Sequence, residues 1–262
     1  MNDSIVLHHA DPRGVHTLTL NQPDAFNALS SAMIAAMQAV LDAVAADPQA
    51  RVLVIAAHGK AFCPGHNLKD MAANSGTDSS LSYYQALFAQ CSKMMVSIAK
   101  LPVPVVARVQ AVATAAGCQL VAQCDLAVAT TSARFATSGI NFGLFCSTPS
   151  VPLVHAIPQK FAMEMLVTGE FIDAATALRY GLVNRLAALE ELDAELEKLI
   201  QSILSKPRES LRLGKALVHQ QRGLGLEAAY LLAGQTMAVN MLHPDAQEGV
   251  LAFVEKRAPV WV

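Results

Sequence analysis

The sequence predicts an α/β fold whose C-terminal third is helical, and three observations carry that prediction. Residues 51–57 (RVLVIAA) form an almost unbroken apolar run, as a strand does when both its faces are buried. Just before it, Met33, Ile34, Met37, Val40, Leu41 and Val44 recur at helical spacing along one face. From Ala174 onward only helical patterns follow.

The elements follow in chain order. Residues 15–20 (VHTLTL) read as a strand, ended by the turn signal Asn21-Gln22-Pro23. Ser30 is placed to cap the helix that carries Met33, and Asp47-Pro48 ends it. Residues 59–65 read as a loop and 81–100 as a helix. Residues 102–106 and 109–112 are extended, and 118–123 form a short helix leading into a strand at 125–130. Residues 135–159 contain no Asp, Glu, Lys or Arg and are broken by Gly, Pro, Ser, Thr and Asn. They read as a neutral, irregular wall and not as a membrane span. Helices then occupy 174–180, 189–205, 207–220 and a last stretch from Leu226. The resulting division is a core over residues 1–200 and a helical region over 201–262 for assembly and site closure. No repeat occurs at solenoid periods.

Composition narrows the function classes. A chain of 262 residues makes one large domain, or one domain with a small appended piece. It is 53% hydrophobic and 15% charged, well below the usual quarter. That balance implies a sizeable core together with a buried subunit interface. The net charge is −2, and no run of Lys or Arg supports a nucleic-acid or membrane-surface partner. The five cysteines are odd in number and lack CxxC spacing, which fits reduced thiols in the cytoplasm. The eight histidines are scattered apart from the neighbours His8 and His9, so no metal is expected. The N-terminal stretch MNDSIVLHHADPRG lacks a basic region followed by an apolar one, so it does not read as a signal peptide.

Four ordered segments carry the chemistry: 21–29 (NQPDAFNAL), 61–68 (AFCPGHNL), 104–126, and 248–257 (EGVLAFVEKR). The third contains PVVARVQAVA, then GCQL and CDL. Residues 168–170 (TGE) and 177–184 (ALRYGLVN) accompany them. Together they resemble the crotonase, or enoyl-CoA hydratase/isomerase, family over nearly the whole chain. The runs 113–120 and 143–149 resemble, within it, the subgroup of enoyl-CoA hydratase domain-containing protein 3.

That resemblance implies a crotonase-type spiral of ββα turns with a helical C-terminal region, assembled as trimers or hexamers. It implies an acyl-CoA thioester as ligand, coenzyme A being part of the substrate with no separate cofactor. It also implies an oxyanion hole made by the backbone N–H groups of His66 and Ala116, flanked by Gly65, Asn67, Leu68, Ala115 and Gly117. Two fixed donors stabilise charge developing on a thioester oxygen, and losing one typically costs on the order of 3 kcal/mol. The helix expected after Gly117 adds its N-terminal end to the same site. Alanines at 115 and 116 replace the family's glycines, which keeps the N–H groups but restricts φ. Ala25, Phe26 and Ala28 match a loop whose backbone contacts ligand. Lys69 and Lys256 match positions near the nucleotide, Phe253 is a further candidate for binding the substrate, and Arg108 and Arg257 are further candidate partners for phosphate. Each of these charges has the alternative of a solvated surface position.

Hydration needs one group to activate water and another to protonate C2, which is carboxylate work. The resemblance puts the family's two glutamates at Gln119 and Gly139. An amide neither takes nor gives a proton at neutral pH. Between Asp78 and Glu164 the only acidic residue is Asp125, which matches a structural turn. The expectation is therefore a thioester cradle without the hydratase acids, and without the acid that isomerases keep. Ser138, Asn141, Cys146, Ser147 and Thr148 are candidate polar lining residues. His66 is the one titratable side chain at the hole. Either it contributes only its N–H, or its ring also acts, as in some decarboxylases of the family that also carry a Tyr where Cys146 stands. Cys146 is either a nucleophile or a small buried apolar residue without a paired base. Two functions remain: an enzyme working through a thioester enolate, or a non-catalytic acyl-CoA-binding or scaffold subunit.

Overall fold

The polypeptide starts as a hairpin of β1 (Val6–Ala10) and β2 (Val15–Leu20). The Asp11 carboxylate closes its turn by accepting from the Arg13 and Val15 N–H groups. These details come from a computed structural model that describes residues 4–261. α1 (Ser31–Ala46) follows, with the Ser30 hydroxyl accepting from Met33 N at 3.1 Å as a cap. It buries Met33, Ile34, Met37, Leu41 and Val44, the face expected from the periodicity. β3 (Val52–Ala57) is buried at every position.

From there the chain alternates between two sheets. β3 lies in the large sheet and β4 (Ala61–Cys63) in a small one, followed by α2 (Leu68–Ala73) and α3 (Ser80–Lys100). The same step recurs with β5 (Val105–Val109), β6 (Val112–Thr114) and α4 (Ala116–Gln123). It recurs again with β7 (Leu126–Thr130), β8 (Arg134–Ala136) and α5 (Ser147–Ala156). Each strand pair followed by helix is one ββα turn of the spiral. α6 (Gln159–Thr168), β9 (Ile172–Asp173), α7 (Ala174–Tyr180) and β10 (Arg185–Ala187) complete the two sheets. The large sheet has the order β1-β2-β3-β5-β7-β10 and the small one β4-β6-β8-β9. Pairings are parallel except β1 with β2 and β8 with β9.

α8 (Leu192–Leu204) lies over the outer face of the large sheet, packing Leu192, Leu196, Leu199, Ile200 and Ile203 on Val52, Val54, Val106 and Val128. Each fully buried side chain of this size contributes roughly 1.5–3 kcal/mol. α9 (Arg208–Gln220), α10 (Leu226–Met241) and α11 (Pro244–Val254) end the chain, and neither α9 nor α10 has a buried residue.

Several expectations needed correction. The loop at 59–65 contains β4, and the irregular wall at 135–159 contains β8, a 3-10 turn at Ser138–Phe142 and α5. Pro149 falls in the first turn of α5, where its missing N–H costs nothing, and Pro149, Pro152 and Leu153 are buried. The last helix is two, broken where His243 caps α11 and Pro244 starts it. Among the described residues no helix is long and apolar enough to cross a membrane. The five cysteines are free thiols, and among the described residues no group of three or more His, Cys, Asp or Glu could hold a metal.

Candidate functional site

The loop before α1 is held by a residue the sequence reading did not single out. Asn27 is fully buried, with a left-handed φ of 62° after Phe26 at 54°. Asparagine tolerates that region better than most side chains. Its Oδ1 accepts from Gln22 N, and its Nδ2 donates to His58 O at 2.8 Å and Ala61 O at 3.0 Å. This fixes Ala25 and Phe26 at the surface and leads through Ala28 to Leu29. Leu29 then forms a parallel bridge with His66: Leu29 N donates to Gly65 O at 2.8 Å, and Asn67 N donates to Leu29 O at 3.4 Å. In a parallel bridge those two bonds use the residues flanking His66, so the His66 N–H faces the other way. The Asn67 carboxamide accepts from Lys69 N and caps α2, which leaves Leu68 and Lys69 exposed.

A second segment meets the first there. A Cβ placed on Gly65 would stand 3.0 Å from Ala116 N and 2.9 Å from Ala115 Cβ, so only glycine allows this approach. Gly117 is tighter still, since an added Cβ would lie 2.0 Å from Cys63 O. Ala115 precedes α4 with φ 50° and ψ −121°, a conformation alanine rarely adopts. Ala116 is the first residue of α4, where an N–H has no partner inside its helix. Neither His66 N nor Ala116 N donates a hydrogen bond among the described residues.

Residues 119 and 139, where the resemblance puts the family's glutamates, differ in kind. Gln119 is buried on α4, and its Oε1 has no hydrogen-bond partner among the described residues. Gly139 has no room for a side chain: an added Cβ would lie 2.5 Å from Leu144 O and 2.8 Å from Cys146 Sγ. Cys146 therefore fills the space above residue 139. Burial pushes its thiol pKa up, against the Gly139 N–H that pulls it down, so it stays protonated at neutral pH. Ser138 pairs with Thr114 at 2.7 Å between hydroxyls, and Asn141 donates to Gly169 O at 3.2 Å behind α6. Both side chains are thus engaged in holding the wall. The His66 ring bonds through Nδ1 to Leu29 O at 3.3 Å and meets the Phe88 ring edge to face at 5.4 Å. Burial lowers its pKa, only partly opposed by the Leu29 carbonyl. Phe88 stacks on Tyr84, whose hydroxyl donates to Met71 O and ties α3 to α2. The sequence signal for this pair was two aromatics four residues apart on one helix.

The profile of the family described as enoyl-CoA hydratase/isomerase matches residues 10–262. The chain belongs to the enoyl-CoA hydratase/isomerase family. It is 45% identical over 95% of its length to the mitochondrial enoyl-CoA hydratase domain-containing protein 3 of Xenopus laevis, covering 83% of that protein. The human protein of the same name is 44% identical over 95% of this chain and 80% of its own length. The crystal structure of an enoyl-CoA hydratase from Mycobacterium smegmatis superposes with a TM-score of 0.95 at 54% identity, covering 99% of each chain. That of human enoyl-CoA hydratase domain-containing protein 3 gives 0.91 at 41%, covering 98% of this chain and all of that one.

In this member of the enoyl-CoA hydratase/isomerase family the candidate phosphate partners divide into two kinds. Arg108 is spent on Asp193, and Arg257 on Glu248 and Glu255. Lys69 and Lys256 are exposed and form no ion pair among the described residues. Phe253 and Lys256 stand at the far C-terminal end, Phe253 being 85% exposed, and no hydrogen bond ties them to the His66 and Ala116 segments. Asp125 sits at the start of β7 and accepts from Val105 N, with Lys215 Nζ at 2.7 Å. Those contacts are structural, in keeping with the turn that the resemblance implied for it.

Proposed function

We propose that this chain binds an acyl-coenzyme A thioester and stabilises its enolate oxygen between the backbone N–H groups of His66 and Ala116. We further propose that it does so without the carboxylate pair of a hydratase. The observation that carries this reading is the contact between Gly65 and Ala116, which brings two unspent N–H donors onto neighbouring segments. Two further features support it. An amide stands at residue 119, and the space at residue 139 belongs to a cysteine. The setting is fatty-acid or related carboxylic-acid metabolism, in a homo-oligomer, trimer or hexamer, completed at its nucleotide end by Lys69, Phe253 and Lys256. A reducing, cytoplasmic compartment fits the five free thiols.

Butyryl-CoA binding by calorimetry and crotonyl-CoA hydration on the same sample test this. Binding is expected together with hydration at least ~100-fold below that of a relative with both glutamates, since one acid–base group contributes roughly 10²–10⁴-fold. Ala116→Pro deletes one donor at a helix position that tolerates proline, and is expected to weaken enolate stabilisation by about 3 kcal/mol. Rapid hydration would sink the lost-acid reading, while absence of thioester binding would sink the cradle itself. Binding with no turnover of any thioester would make the chain a binding or scaffold subunit.

A further inference from the structure

Four buried side-chain atoms lack a hydrogen-bond partner among the described residues: Arg51 Nε, His66 Nε2, Gln110 Oε1 and Gln119 Oε1. Two of the four belong to this site. A buried polar atom left unpaired is costly, so each calls for an explanation. Gln119 cannot move a proton. His66 can, and its tautomer is fixed. Leu29 O is an acceptor only, so the Nδ1 facing it at 3.3 Å carries the hydrogen. Nε2 is then the atom with the free lone pair, on the same residue whose N–H faces the proposed oxyanion.

The other titratable groups nearby are not available for this work. Burial raises the Cys63 and Cys118 thiols to about 12 and also raises that of Cys146. The Tyr84 hydroxyl donates to Met71 O. The influences on His66 are burial and the Leu29 carbonyl, with no charged side chain among them. Burial lowers its pKa, so the imidazole is neutral at neutral pH, with the Nε2 lone pair unprotonated.

We infer that His66 Nε2 is a catalytic base that removes a proton from C2 of the bound acyl thioester. The inference rests on the thioester cradle proposed above. In the step, the C2–H bond breaks and an Nε2–H bond forms. The C–H electron pair becomes the C1–C2 double bond, and the carbonyl π electrons move onto the oxygen held by His66 N and Ala116 N. Reversal returns a proton to C2, so in heavy water the thioester gains deuterium with no other change. Nε2 is buried, and the Phe88 ring packs edge to face on the imidazole at 5.4 Å between centroids, so the acyl group reaches Nε2 only with a local shift of side chains.

The test follows C2 deuteration of saturating butyryl-CoA in heavy water by mass spectrometry, with occupancy read by calorimetry. The native protein is expected to exchange C2 hydrogens well above the rate in buffer. His66→Asn keeps the backbone N–H and places an amide donor where Nδ1 was, but removes Nε2. Its exchange is expected to fall by about 10²-fold or more, the range for loss of a general base. His66→Phe, which fills the ring volume, is expected to fall equally and guards against a folding defect in either variant. Full-rate exchange by folded His66→Asn overturns the assignment and leaves the enolate reading in place. Binding by the native protein without exchange also overturns it, while the cradle stands. No thioester binding removes both.

Discussion

Ala115 shows how far a single residue can be read. Alanine stands where the resemblance to the family implies glycine, and an alanine there predicts restricted φ. The structure adds the value, φ 50° with ψ −121°, directly before the first N–H of α4. A non-glycine residue held there stores about 1–3 kcal/mol. Ala115→Gly releases it and gives back roughly 0.5–1 kcal/mol as unfolded-chain freedom. The net gain is about 1 kcal/mol, or a rise in Tm of about 2–4 °C for a chain of this size by scanning calorimetry. An unchanged or lower Tm would mean the strain is absorbed elsewhere. Gly139 was legible only by half. The resemblance puts a glutamate at its position, but nothing in the sequence indicated that Cys146 fills the space above it. That packing depends on the turn in which Leu144 N donates to Gly139 O at 3.1 Å, which folds residues 139–146 back on themselves.

Elements were legible where a pattern runs long enough to repeat. α1 has five buried positions at helical spacing, and β3 is apolar throughout. β4, β6, β8 and β10 have three residues each and β9 has two, too short for any period to show. The docking of α9 was equally hidden, because its partner lies far away in sequence. Lys215 Nζ reaches Asp125 at 2.7 Å, Ile98 O at 3.0 Å and Val103 O at 2.9 Å, while His219, four residues on, meets Asp125 at 3.3 Å. Burial alone would raise the Asp125 pKa. His219, Lys215 and the Val105 N–H outweigh it and hold the carboxyl below its ordinary 3.8. A carboxylate with a depressed folded pKa contributes stability that is complete above its unfolded pKa and lost as pH falls through the folded one. Lys215→Met is therefore expected to cost about 3 kcal/mol at pH 7, as for a buried pair broken on one side. The difference from the native protein should narrow as pH falls below 3.8, read from urea midpoints. The double variant Asp125→Asn, Lys215→Met is expected to recover most of the loss. A constant difference across pH would show that Lys215 stabilises only through its carbonyl contacts.

At the scale of the whole molecule, the low charge content had implied more buried surface than one core requires, and the C-terminal helices carry a large apolar surface that their own chain leaves exposed. α10 carries a single charged residue, Glu227, yet buries nothing in its own chain. Leu226, Tyr230, Met237 and Leu242 are each 70–76% exposed. A helix that is apolar all round is stable in water only when something covers it. Phe253 and Val254 on α11 are likewise exposed, at 85% and 70%. Spread over this length of chain, the patch suits an obligate interface of roughly 2,000 Å² or more between copies. Sedimentation is therefore expected to give a trimer or hexamer. The double substitution Tyr230→Asp, Met237→Asp should shift it to monomer. Because both side chains are exposed within the chain, fold stability of that monomer, read by urea denaturation, should differ little from that of native chain diluted below its dissociation constant, within about 0.5 kcal/mol per site. On the proposed role of Phe253 and Lys256 at the nucleotide end, the same variant should also weaken butyryl-CoA binding, because both residues lie in the exposed C-terminal helical region. A native protein that sediments as a monomer with full thioester affinity would remove assembly from the site, leaving its nucleotide end to Lys69 alone.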